Sequence, residues 1–159
     1  MPSTPPDVRP GGAADAGTLA GIFWRSVHEG AAPRYDAAQR AAWLPARPSA
    51  EAFAARLEGQ RVWVAERDNA ATGFATLRPD GYLDFLYVLP EARGDGTAGA
   101  LLAAVEAHAR GAGLRRLTVR ASDMARPFLA RRGWAAVGDA AQVRGGVTIP
   151  ATDMARALA

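Results

Sequence analysis

The stretch "LDFLYVLPEARGDGTAGALLAAVEAHARGAGL", residues 83–114, decides how this chain folds. It opens as an apolar run and closes as a helical one. Between them "ARGDGTAGA" (92–100) holds three glycines and three alanines in nine residues. A run so poor in side chains lets a ligand approach the backbone, and glycine accepts the positive φ that a sharp strand-to-helix turn needs. The helix after it begins with unpaired N–H groups and the positive end of its dipole. Together these make an anion site of the kind used for phosphate.

Outward from that turn, the hydrophobic period sorts the rest of the chain. "DVRP" (7–10) reads as a short edge strand. "ADAGTLAGIFWRSVHEG" (14–30) reads as a helix with Leu19, Ile22, Phe23 and Val27 on one face and Gly30 as its stop. "YDAAQRAAWLP" is a short helix ended by Pro45. "SAEAFAARLEG" is another, with Ser49 as N-cap and Gly59 just past its end. The period then shortens to two in "RVWVAER", "TGFATLR" and "YLDFLYV", strands separated by the turn signals "DNAA" and "PDG". The long helix from Gly96 to about Ala112 is expected to pack Leu101, Leu102, Val105, His108 and Ala112. "LRRLTVRAS" comes next by a crossover and should run parallel to "YLDFLYV". "DMARPFLARRGW" is a short helix, and residues 135–143 and 147–158 are expected to close the chain as a hairpin around Gly145–Gly146. The expectation is one α+β domain over residues 1–159, with a central mixed, mostly antiparallel sheet flanked by helices.

Composition narrows the function classes. A chain of 159 residues with 49% apolar and 22% charged residues is an ordinary globular profile. The net charge of +3 is small and its basic residues are scattered, which argues against nucleic acid as a partner. There is no cysteine, and His28 and His108 are the only histidines, so no metal site is expected. The N-terminal "MPSTPPDVRP" lacks the apolar core of a signal peptide and no run suits a membrane span, so a cytoplasmic protein without a membrane partner is expected.

Three phosphate loops are conceivable at 92–100. The triphosphate loop G-x-x-x-x-G-K-[ST] is absent. Gly94, Gly96 and Gly99 meet the spacing of the dinucleotide fingerprint, but antiparallel strands precede them and no acidic strand end lies about 20 residues on. A glycine-rich turn without a ligand is the bland alternative. The third reading rests on "VLPEARGDGTAGALL", which resembles motif A of the GNAT superfamily of acetyl-CoA-dependent N-acetyltransferases, in a small single-domain bacterial branch. There a strand ending V-x-P leads to [QR]-x-x-G-x-[GA] and then to a helix opening on a leucine pair. Arg93, Gly96 and Ala98 occupy the defining positions. "LTVRASDMARPFLARRGW" resembles the family's next strand and helix through Ala125, Phe128, Gly133 and Trp134. "TGFATL" resembles the strand before motif A, and "YDAAQRAAWLP" is similar to a branch with Y-x-x-x-Q-x-x-A-W-x-P.

The resemblance implies a sheet whose parallel strands splay apart, with acetyl-CoA as acetyl donor in the gap and no metal. Backbone N–H groups of Arg93, Gly94, Asp95, Gly96, Thr97 and Ala98 would take the pyrophosphate, Leu86 and Val88 would pair with the pantetheine, and Phe128 and Arg131 (or Arg132) would border the cofactor. It implies attack of a small-molecule or peptide amine on the thioester, with the Val88 N–H facing the developing oxyanion. Asp84, in an otherwise apolar strand, is the first candidate base; the alternative is that it caps or pairs an arginine. The family's usual tyrosine acid is here Leu129, which leaves Tyr87, Ser122 or water for that role, or a reaction without an acid. Trp24, His28, Glu29, Tyr35 and Trp43 are candidates for the acceptor channel, and a cationic amine is favoured if Glu29 and Asp84 both face it. Asp95, with a side chain expected in solvent, should oppose the diphosphate. A non-catalytic acyl-CoA-binding or regulatory domain, monomeric or homodimeric like the enzyme, is the rival of a different class.

Overall fold

The computed structural model describes residues 5–158. Strands β1 (Asp7–Pro10), β2 (Arg61–Arg67), β3 (Ala70–Leu77) and β4 (Tyr82–Val88) pair antiparallel in that order. Asp68 and Asn69, at φ 51° and 63°, form the two-residue turn between β2 and β3, the positive-φ pair that matches the twist of a hairpin. Helix α4 (Thr97–Gly111) then crosses to β5 (Arg116–Ser122), which lies parallel to β4.

The C-terminal region closes as the hairpin expected of it. β6 (Ala135–Asp139) pairs antiparallel with the last strand, β9 (Ala151–Ala157). β9 also pairs with β5, giving the seven-stranded order β1-β2-β3-β4-β5-β9-β6. β7 (Gln142–Arg144) and β8 (Val147–Ile149) carry the same pairing on to the turn at Gly145–Gly146. Pro150 separates β8 from β9; it has no N–H to donate to a ladder, so one strand becomes two.

Helices cover both faces. α1 (Ala16–Arg25) and α3 (Ala50–Leu57) bury Leu19, Ile22, Phe53 and Leu57 against Val62, Val64, Phe74 and Phe85. Ser49 caps α3 by accepting from the Ala52 N–H. On the other face α4 buries Leu101, Leu102, Val105 and Ala109 against Leu77, Leu83, Leu117 and Val119, with Leu129 of α5 (Arg126–Arg131) in the same cluster. Each such fully buried leucine contributes about 1.5–3 kcal/mol. Ala109 takes the position expected for His108 and Ala112. Ala112 is exposed, and His108 is half-buried, edge-on to Trp63 at 5.5 Å. α2 (Ala37–Trp43) lies by the β7–β8 hairpin, where Tyr35 and Ile149 form a small separate core.

Two irregularities position the site. β3 and β4 pair Thr76 with Phe85 and Leu77 with Leu83, so Asp84 is an extra residue in β4, a β-bulge. A bulge bends its strand and adds twist, and β4 duly meets β5 only at Tyr82–Thr118 and Leu83–Val119 before the two part. The second irregularity is at the end of α1, which runs on as one π-helical turn over Ser26–Gly30 rather than as the α-helix expected to Gly30.

Candidate active site

The gap opened by the bulge is lined with backbone. Leu89 donates its N–H to Thr72 O at 2.8 Å, and antiparallel pairing alternates. The polar groups of Val88 and Leu86 therefore face away from β3, into the gap. The Val88 carbonyl is taken by the Ser26 hydroxyl at 3.3 Å, which leaves its N–H directed at the open side.

At the outer end of the gap stands the glycine turn. Gly94 and Gly96 have φ of 81° and 90°, and a Cβ at either would meet no atom within 4 Å. The space beside this backbone is thus open to a ligand. The N–H groups of Ala98 and Gly99 at the start of α4 have no acceptor among the described residues. The cleft has a volume of about 490 Å3 and is bordered by Leu86, Val88, residues 92–94 and 96–99, Phe128, Arg131 and Arg132. Arg132 stacks on the Phe128 ring at 4.1 Å and lies against Gly99, where a Cβ would come within 2.7 Å of its guanidinium. Arg93 borders the cleft too, with Nη1 held by the Gly30 carbonyl at 2.7 Å. An unpaired helix start, an open glycine cradle and flanking arginines fit the pyrophosphate of acetyl-CoA.

Asp95 corrects the expectation of a solvent-facing side chain. Its Oδ1 accepts from the Thr97 N–H at 3.0 Å and the Thr97 hydroxyl at 2.6 Å, and its Oδ2 from Arg67 Nε at 2.9 Å. Burial acts against its charge, but these bonds hold the carboxyl below its usual range. Asp95 braces the turn without bordering the cleft, and the Thr97 side chain is buried against it.

A second cavity of about 360 Å3 opens on the α1–α3 face of the sheet. The two cavities share Trp43, Leu86, Tyr87, Ser122 and Ala125, so they meet at the split between β4 and β5. The bulge turns Tyr87 into this junction. Burial first, and then the nearby Asp84 carboxylate, push its phenol well above the ordinary value. Its hydroxyl makes no hydrogen bond among the described residues. Ser122 Oγ accepts from the Ala125 N–H at 3.1 Å. Asp84 does face the second cavity, but in an ion-pair cluster. Oδ1 meets Arg56 at 2.8 Å and Arg78 at 3.5 Å, Oδ2 meets Gln60 at 2.7 Å, and the side chain is only 4% exposed. That is the arginine-paired alternative left open by the sequence.

The acceptor candidates on the N-terminal helices are mostly elsewhere. The π turn inserts a residue into the helical repeat and rotates the residues beyond it. Trp24 stacks on His28 at 3.8 Å, and His28 donates from Nε2 to the Leu44 carbonyl at 2.8 Å. Glu29 is exposed and paired with Arg25 at 2.8 Å. None of these three borders either cavity. Tyr35 gives its ring to the wall, but its hydroxyl is consumed, donating to Pro150 O at 2.6 Å and accepting from the Asp123 N–H at 2.8 Å. Trp43, the remaining candidate, does line the wall together with Phe23, with Arg56, Arg120 and Arg144 among the polar lining. Arg120 was legible: it stands two residues before Ser122, hence on the same face of β5. Arg144 was not, because nothing local to β7 indicates that the hairpin folds over this cavity.

A split mixed sheet, a helix start with unpaired N–H groups beside the split and two cavities that meet there have the architecture of an acyltransferase built around a coenzyme. The chain belongs to the GNAT acetyltransferase family: residues 31–158 match the family model described as "Acetyltransferase (GNAT) domain". It is 34% identical over 120 residues to the uncharacterized N-acetyltransferase YafP of Escherichia coli K12, covering 75% of this chain and 74% of that protein. It superposes on the crystal structure of a GCN5-related N-acetyltransferase from Rhodopseudomonas palustris with a TM-score of 0.91, at 35% identity over 99% of each chain. A phosphinothricin acetyltransferase from Sinorhizobium meliloti, solved in complex with acetyl-CoA, shares the fold with a TM-score of 0.78, at 22% identity over 98% of this chain and 89% of that one.

Proposed function

We propose that this protein transfers the acetyl group of acetyl-CoA to a primary amine. The observation that carries the reading is the junction of the two cavities at Leu86 and Tyr87, with the glycine turn at one end and a second, solvent-open pocket at the other. Acetyl-CoA supplies an activated thioester: the amine nitrogen bonds to the carbonyl carbon, the C–S bond breaks, the amine gives up its surplus proton and the sulfur takes one. Backbone N–H groups of 94–99 and the flanking Arg93, Arg131 and Arg132 hold the pyrophosphate. Leu86 and Val88 pair with the amides of the pantetheine arm along the open edge of β4. The Val88 N–H meets the carbonyl oxygen as negative charge builds there. Tyr87, whose raised pKa keeps it protonated at neutral pH, gives its proton to the departing sulfur. An alkyl ammonium has a pKa near 10, so its proton must be lost first. With the Asp84 oxygens engaged by Arg56, Arg78 and Gln60, that proton leaves to solvent through the open pocket.

Leu129, 1% exposed in the core, stands where the family often has its tyrosine acid, which keeps a binding-only domain in view. Thiol release from acetyl-CoA across a broad panel of amines, beside calorimetric titration of acetyl-CoA, separates the two. An enzyme binds and turns over; a binding domain binds and releases no thiol.

A further inference from the structure

We propose, resting on the acetyl-transfer reading above, that the acceptor is a small amine that carries its own anionic group, held by Arg120 and Arg144. The cationic amine expected from the sequence required Glu29 and Asp84 in the pocket. Glu29 lies outside it, and Asp84 is the only carboxylate bordering it among the described residues. That carboxylate is already matched by Arg56 and Arg78. Arg120 and Arg144 remain. Arg144 donates to neutral oxygens only, the Trp43 carbonyl and Gln142 Oε1, each at 2.9 Å. Among the described residues, the one carboxylate near Arg120 is Asp153, at 4.0 Å, beyond hydrogen-bond reach and half-exposed. Two guanidinium groups thus border a partly aromatic pocket with no carboxylate within hydrogen-bond reach among the described residues, and a cleft with low-dielectric walls focuses such a field.

The spacing limits the size of the acceptor. Arg120 and Ser122 project from the same face of β5, about 7 Å apart along the strand. Ser122 borders the junction where the amine must react. Amine and anion are therefore separated by only a few atoms, as in an α-amino acid or a small aminoalkylphosphonate. Phe23 and Trp43 supply a wall for an apolar side chain. The shared chemistry is an amine with a neighbouring carboxylate or phosphonate.

The test uses leucine, methionine and phenylalanine as free acids, as carboxamides and as the corresponding aminophosphonates, with 1,5-diaminopentane as the cationic comparison. Thiol release gives kcat/KM, and calorimetry on the CoA-loaded protein gives affinities for the N-acetyl acids and N-acetyl amides. A charge-assisted bond to one arginine corresponds to about a tenfold or greater preference for the anionic form, shrinking as salt rises. Arg120→Gln should collapse that preference while acetyl-CoA affinity stays within about twofold, and Arg120→Lys should restore part of it. Arg144→Gln should act in the same direction. Better turnover of amides or the diamine than of both anionic sets overturns this proposal and leaves the acetyltransferase reading intact. No binding of acetyl-CoA in the titration removes that reading, and this proposal with it.

Discussion

Thr97 donates both its backbone N–H and its hydroxyl to a single oxygen of Asp95, at 3.0 and 2.6 Å, two residues before it in the chain. The acidic residue in a phosphate-type loop is thus a brace for the turn. Arg67, reaching from the end of β2, holds the other oxygen.

That geometry reverses the expected effect of changing the charge. Read as a solvent-facing repeller, Asp95 would be improved by lysine. In place, Asp95→Lys removes a cap-like acceptor worth about 1 kcal/mol and sets a second cation beside Arg67. We expect weaker acetyl-CoA binding at low and at high salt, with Asp95→Asn milder because it can still accept from Thr97. Titration of both variants checks this; tighter binding by the lysine variant would refute it.

Acid should loosen the same turn. The Asp95 carboxyl is held below its ordinary range, against burial, by Thr97 and Arg67. Asp15 is likewise held down, chiefly by Arg9. A group whose folded pKa is depressed stabilises fully above its unfolded value, about 3.9 for aspartate, and that stability is lost as pH falls through the lower folded value. The melting temperature should therefore drop steeply below about pH 4. Asp95→Asn should show a shallower drop over the same window. Melting curves of the two proteins between pH 2 and 7 compare them directly.

Gly96→Val tests the cradle. At φ of 90° the side chain strains the backbone, although it meets no protein atom. The folding cost should stay near 1–2 kcal/mol. The valine would occupy the open space beside the turn, so acetyl-CoA affinity should fall about 100-fold or more. Calorimetry with a melting curve reads both quantities.

Asp84→Asn should register mainly in stability. The nearly buried carboxylate would leave Arg56 and Arg78 without their shared partner, but both arginines are about half-exposed. Solvent screening reduces the loss to about 1–3 kcal/mol. Activity per folded molecule should change less than about tenfold. A much larger fall, greatest at low pH and at unchanged stability, would instead make Asp84 the base.

Tyr87→Phe removes the proposed donor without removing a hydrogen bond. We expect kcat to fall about 10- to 100-fold, with acetyl-CoA affinity and melting temperature nearly unchanged. Because the phenol is raised above its ordinary value, wild-type kcat should not decline through loss of this proton until beyond about pH 10. A pH–rate profile of both proteins tests the assignment.

The cofactor end of this protein was legible because its determinants are local. Gly94, Gly96 and the start of α4 make an anion site from backbone alone, and a backbone site needs only the order of residues in one short stretch. The strands and helices around it were legible by period, down to the turn at Asp68–Asn69 and the cap at Ser49. The acceptor end was decided by tertiary structure. No local pattern shows that Asp84 is an extra residue, since the register between Thr76 and Phe85 is set by pairing across strands. None shows that the helix after Arg25 continues as a π turn, or that Trp24, His28 and Glu29 border neither cavity. The charge of that pocket depends on Arg56 reaching Asp84 from 28 residues away and on a distant hairpin folding over it. Charge at a site is a sum over neighbours in space, and spatial neighbours are settled only when the whole chain packs.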